Sequence, residues 1–183
     1  MYPVKLRGRA ITLREFRDDD VAGALAVVGD DRVTRWLSFD ARSPAATADL
    51  VAGAIARSRL EPRGEYYLAV ADAADVLVGF VRLGLAGVRA AKLGYAVRAA
   101  DWGRGYATDA CRTMLDFGFG PLGLHRVSAA VGPDNAASLA VVRKLGMRHE
   151  GRLRDHVHTN DAWRDSELFS ILRAEWPGGP AAG

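Results

Sequence analysis

The sequence predicts a single α/β domain built on a mixed sheet. Segments with strand-like alternation and with helical spacing follow one another in the order β-α-α-β-β-β-α-β-α-β-β. No repeat, linker or compositional break divides the chain. Its 183 residues, 49% of them hydrophobic, suffice for one domain with a substantial core. The count is about seven strands and about four helices.

The alternation of Arg9-Ala-Ile-Thr-Leu-Arg-Glu15 predicts a first strand. Asp18, Asp19 and Asp20 then supply cap and first-turn charges for a helix over Val21–Val28. Ser43-Pro44 starts a second helix that runs to Arg59 and is broken by Glu61-Pro62-Arg63-Gly64. Tyr66–Val70 and Val76–Leu85 read as strands of a hairpin turning at residues 71–75, and Lys92–Val97 as a third strand. Thr108–Phe119 places Ala110, Met114, Leu115 and Phe117 at helical spacing, with Gly118, Gly120 and Pro121 as the stop. A short strand, Arg126–Val131, precedes a helix over Asn135–Leu145 that closes at Gly146. Arg148–Asp155 and Trp163–Leu172 complete the strands. The domain is expected over residues 1–176, and the Pro-, Gly- and Ala-rich residues 177–183 as a disordered tail.

Composition narrows the function. No apolar run approaches the roughly 20 residues that cross a bilayer, and the basic start, with Lys5, Arg7 and Arg9, is unlike a signal peptide. Cys111 is the only cysteine, so no internal disulfide is available and a reducing, cytoplasmic compartment is expected. The net charge of +3 is scattered, with no basic helix or stripe, which argues against a nucleic-acid partner and suits an acidic small ligand. His156 and His158 share one face of a strand, but no third ligand is near in sequence, so no metal is expected.

Asp101-Trp-Gly-Arg-Gly-Tyr-Ala-Thr-Asp-Ala110 is the most informative stretch. Gly103 and Gly105 can take positive φ, and the amides of such a turn, followed by a helix start, make a concavity suited to a phosphate or pyrophosphate. A dinucleotide fold would want a third glycine at Thr108, a position after the first strand and a ribose-binding carboxylate; none is present. The nucleoside-triphosphate loop pattern is also absent.

Taken with Leu93-Gly94-Tyr95, Trp102-Gly-Arg-Gly-Tyr-Ala107, Asn135-Ala-Ala-Ser138, Lys144-Leu-Gly-Met147 and Glu150-Gly-Arg-Leu-Arg154, the chain resembles the GNAT superfamily of acetyl-CoA-dependent N-acetyltransferases, in the RimJ/RimL-type branch that acetylates protein N-termini and some small amines. The resemblance spans Ile11 to Trp176. It implies a twisted, mostly antiparallel mixed sheet with a V-shaped splay between two central strands. It implies the diphosphate of acetyl-CoA on the turn, contacted by Gly103, Arg104, Gly105, Tyr106, Ala107 and Thr108, with Trp102 where many relatives carry Gln or Arg. Pantetheine would lie along Tyr95, Ala96 and Val97 as an added strand does, with Asn135 and Ser138 beside it. Asn135 also reads as a helix cap and Tyr95 as a core aromatic.

Amide formation from an amine and a thioester requires removal of an ammonium proton, donors for an oxyanion and a proton for the leaving thiolate. The amides near Tyr95–Val97 are candidate oxyanion donors. Val142 stands where many relatives carry a tyrosine acid, seven residues after the Asn, so the resemblance assigns the donor to Ser138. Ser138 bonding its own backbone is the other reading. Lys92 stands where many relatives carry Glu, which leaves Asp165, Glu150, Asp155 and His156 as candidate bases; Asp165 is the choice here. Cys111, inside an apolar helical pattern, reads as core. Trp36, Phe39, Tyr66, Tyr67 and Trp163 are candidates for an acceptor wall. The expected reaction is direct acetyl transfer in a ternary complex to a protein or peptide N-terminal amine. A small amine such as an antibiotic or amino-acid derivative, and a non-catalytic acyl-CoA sensor, are the alternatives; a homodimer is left open.

Overall fold

In a computed structural model, described over residues 1–177, eight strands form one sheet in the order β1-β2-β3-β4-β5-β6-β8-β7. The strands are β1 (Lys5–Arg7), β2 (Thr12–Arg14), β3 (Glu65–Ala71), β4 (Leu77–Leu85), β5 (Ala90–Val97), β6 (Arg126–Val131), β7 (Arg148–Thr159) and β8 (Ala162–Leu172). Every neighbouring pair is antiparallel except β5 and β6. The helices are α1 (Val21–Val28), α2 (Asp31–Thr34), α3 (Pro44–Ser58), α4 (Tyr106–Phe119) and α5 (Ala136–Lys144).

Alternation along the strands builds two cores, one on each face. Tyr66, Leu68 and Val70 of β3 pack with Ala110, Met114 and Leu115 of α4, with Val142 of α5 and with Leu145 just after it. Tyr67 and Ala69, facing the other way, pack with Val27 and Val28 of α1 and Val51 and Ala54 of α3. A central strand covered on both sides is apolar throughout, which is why β3 shows no polar face.

Several expectations shift. The predicted strand at residues 9–15 is shortened to β2, and an unanticipated edge strand, β1, precedes it, so the sheet has eight strands. The single turn α2, capped by Asp30 through the Arg32 amide, was not anticipated. β7 runs on to Thr159, past the expected end at Asp155, because two extra residues are absorbed in a bulge between Leu153 and Val157. The predicted tail lies, apart from Pro177, outside the described residues.

Candidate active site

The site begins where β5 and β6 part. They pair at only three positions, Ala90 with Arg126, Ala91 with Val127 and Lys92 with Ser128. Beyond these, β5 stays paired to β4 as far as Val97, while β6 stays paired to β8 as far as Val131. The sheet therefore opens in a V from Leu93 onward. The amide of Arg98 donates to the Val78 carbonyl on the β4 side. By alternation the backbone of Ala96 and Gly94 also faces β4, and that of Leu93, Tyr95 and Val97 faces the gap. Of the expected Tyr95–Val97 contacts, Tyr95 and Val97 present amides to the opening. Ala96 does not, and the Val97 carbonyl is taken by Trp102 Nε1 at 2.8 Å.

At the mouth of the V the chain turns through Ala99–Asp101 into α4. Gly103 has φ +81° and Gly105 has φ +79°, and open space lies where each Cβ would be. Backbone conformation, not crowding, selects glycine at both. Gly105 is the N-cap of α4 and brings no side chain to the helix start. None of the amides from Gly103 to Thr108 is hydrogen-bonded within the described residues. A run of unpartnered N–H groups at the positive end of a 14-residue helix fits an anion, and a diphosphate most simply. The loop is braced from below. Asp101, 3% exposed, receives Arg98 Nε and lies 3.2 Å from Arg104 Nη1. The i, i+3 spacing of Arg98, Asp101 and Arg104 was the available signal for this brace, and the sequence reading missed it. Asp109 is also engaged, accepting the amides of Arg9 and Ala10 at 3.0 and 2.7 Å.

Across the gap, α5 presents Ser138. Asn135 caps the helix by accepting the Ser138 amide at 3.1 Å. Tyr95 donates its hydroxyl to the Ser138 carbonyl at 3.3 Å, tying the first turn of α5 to β5. Burial raises the Tyr95 phenol above its usual value, so it remains a donor. The Ser138 hydroxyl makes no hydrogen bond with the described residues, and the back-bond considered from the sequence is not formed. Val142 is fully buried. Cys111 is fully buried too, and desolvation pushes its thiol well up, as suits a core residue.

The candidate bases separate. Glu150 sits at the closed end of the V, bonded to Arg126 and Ser170, and is lowered to about 2, chiefly by Arg126. Asp165 accepts the Asp155 amide at 3.0 Å and so holds the β7 bulge, where Asp155 has φ +47°. Asp165 also shares a β8 face with Phe169 and Ile171, which pack in the α4–α5 core. It therefore lies on the Ser138 side of the sheet as a brace. His156, on the bulge, has Nδ1 3.0 Å from Ser166 Oγ. Arg152, Leu153, Arg154, Asp155 and His156 line an open groove. Lys92 is exposed.

The acceptor wall is smaller than expected. Tyr66 and Tyr67 are core residues, packed edge-on to Phe117 and Phe80. Trp163 is 62% exposed and stacks on His158. Trp36 does stand at the mouth: a Cβ on Gly132, just beyond β6, would lie 3.9 Å from its Cε3. Arg164 of β8 holds this segment by donating to the carbonyls of Arg35 and Leu37. Phe39, half-buried, belongs to the same strap and lies under Arg42.

The opened parallel strand pair, the glycine turn and the uncapped helix form one continuous site. The acetyltransferase (GNAT) domain family matches residues 10–148, and the chain belongs to it. It is 29% identical over 176 residues to the uncharacterized N-acetyltransferase YoaA of Bacillus subtilis, covering 94% of this chain and 98% of that one. It is 30% identical over 181 residues to YdaF of the same organism, whose assigned name proposes a ribosomal N-acetyltransferase; the match covers 92% of this chain and 93% of YdaF. Among solved structures, Mycobacterium smegmatis RimJ in complex with CoA-disulfide superposes with a TM-score of 0.85 at 26% identity, covering 97% of this chain and 91% of that one. The protein is an N-acetyltransferase of the GNAT type.

Proposed function

We propose that residues 1–176 move an acetyl group from acetyl-CoA directly to the primary amine of a protein or peptide N-terminus. The observation that carries this is the six-residue run of free amides, Gly103 to Thr108, at the mouth of a gap into which Tyr95 and Val97 turn theirs. The residues present fit the coenzyme: the turn would hold its diphosphate, Arg104 would add charge, and the edge of β5 would pair with the pantetheine amides. Asn135 carries a cap that leaves its side-chain NH2 group to that arm. The coenzyme supplies an activated thioester; the amine nitrogen bonds to its carbonyl carbon and the carbon–sulfur bond breaks.

Within this reading the Tyr95 amide stabilises the developing oxyanion and the Ser138 hydroxyl gives a proton to the leaving sulfur, directly or through water. Cys111 carries no acyl group. YdaF's assigned name points to the same acceptor class. The test is release of free thiol from acetyl-CoA, with short peptides bearing free α-amino groups and with small amines. Thiol release with peptides supports the reading. Release with small amines alone moves the acceptor to that class. Coenzyme bound without release across the panel makes the protein a sensor and overturns catalysis.

A further inference from the structure

The reaction has two proton transfers, and only the one to the leaving sulfur has been given a residue. Ser138 and Tyr95 lie on the face covered by α4 and α5. The opposite face at the open end of the V carries the Trp36 strap, held by Arg164. Ser166 is two residues along β8 from Arg164 and therefore shares that face. It is 4% exposed, and His156 meets its hydroxyl through Nδ1 at 3.0 Å. In register, Ser166 lies one residue past the Glu167–Val131 pair that ends β6. The imidazole anchored there lies on the face away from Ser138, at the level where β6 ends.

The bulge is what puts it there. Four steps of β7, Leu153 to Val157, face two steps of β8, Ser166 to Arg164. Asp165 pins the distortion through the Asp155 amide. The ring of His156 turns onto Ser166, and His156 lines the groove formed by residues 152–156. We infer that His156 receives the proton of the acceptor ammonium. In the tautomer whose Nδ1–H donates to Ser166 Oγ, Nε2 carries the lone pair. The ammonium N–H bond breaks, its proton passes to Nε2, and its electron pair remains on nitrogen for attack on the thioester carbonyl; the imidazolium returns the proton to solvent. The titratable and charged neighbours along the two strands are Arg152, Arg154, Asp155 and His158 of β7, and Arg164 and Asp165 of β8; Asp165 is bound to the bulge and Arg164 to the strap. Ser166 is a positioning residue.

This inference rests on the transfer reading, and the experiment separates the two. Thiol release is measured for wild type, His156→Ala and Ser166→Ala with the peptides of the panel, with coenzyme A affinity measured by calorimetry. His156→Ala should lose on the order of 100-fold in rate at saturating peptide, keep its coenzyme affinity, and regain rate on addition of imidazole. Ser166→Ala should lose less and show no rescue. A weakly basic acceptor, such as methoxyamine, which is neutral at assay pH, should react equally well with His156→Ala and wild type. An active wild type with an unimpaired His156→Ala, or an impaired variant that imidazole does not restore and that fails equally with methoxyamine, overturns the assignment. A wild type that binds coenzyme and releases no thiol overturns the transfer reading itself.

Discussion

Tyr95 of β5 donates its hydroxyl to the backbone carbonyl of Ser138, joining the strand that edges the gap to the helix turn that faces it. This bond sets where the Ser138 hydroxyl stands, and that hydroxyl is free. Ser138→Ala should therefore leave thermal stability within about 0.5 kcal/mol of wild type and lower the rate of thiol release at least ~10-fold with coenzyme affinity kept. Tyr95→Phe should cost about 1 kcal/mol of stability and part of the rate. A Ser138→Ala variant with full rate removes the donor from the mechanism.

The glycine turn makes a sharper demand on binding than on folding. Open space surrounds both Cβ positions, so Gly103→Ala suffers only the left-handed backbone, about 1–2 kcal/mol. Gly105→Val adds a branched side chain where the anion is expected, and calorimetry should show no coenzyme A binding to a protein with a native circular-dichroism spectrum. Tight binding by Gly105→Val would defeat the turn as the diphosphate site.

The brace under the turn is electrostatic. Asp101 is buried and holds Arg98 and Arg104. Asp101→Ala leaves Arg98 without its partner and should cost on the order of 2 kcal/mol. Chemical denaturation gives the loss, and the Kd for coenzyme A should rise because the amides are no longer held in one orientation.

A pH dependence follows from Glu150. Arg126 first, then Ser170, lower its carboxyl from 4.5 to about 2. A depressed carboxylate contributes stability that is fully present above the unfolded value and lost as pH falls through the folded one. The contribution should hold above pH 4.5 and disappear on the way to about 2. Glu150→Gln should flatten the fall in melting temperature across that window, while an unchanged acid limb would assign the fall to other carboxylates.

The parts of the fold visible in the sequence are those written in local chemistry. Ser43 and Pro44 start α3, Asn135 caps α5, and β6 begins and ends where its alternation does. The glycine turn was legible because φ values of +81° and +79° leave few other residues possible. What escaped depends on tertiary context. β1 has three residues and no periodicity to detect, and the β7 bulge is fixed by Asp165, ten residues away along the chain. Tyr66 and Tyr67 were candidates for an acceptor wall. β3 is covered on both faces, so both are core. His156 could not be placed from sequence, since the bulge between Leu153 and Val157 turns it onto Ser166.

The central claim is that the gap between β5 and β6 and the turn at its mouth receive the coenzyme. Backbone amide NMR during titration with coenzyme A tests it most directly. The account predicts that the largest shifts fall on Gly103 to Thr108 and on Leu93, Tyr95 and Val97, with Ala96 less affected because its amide is turned to β4. Saturable shifts elsewhere, with those amides unmoved, would contradict it.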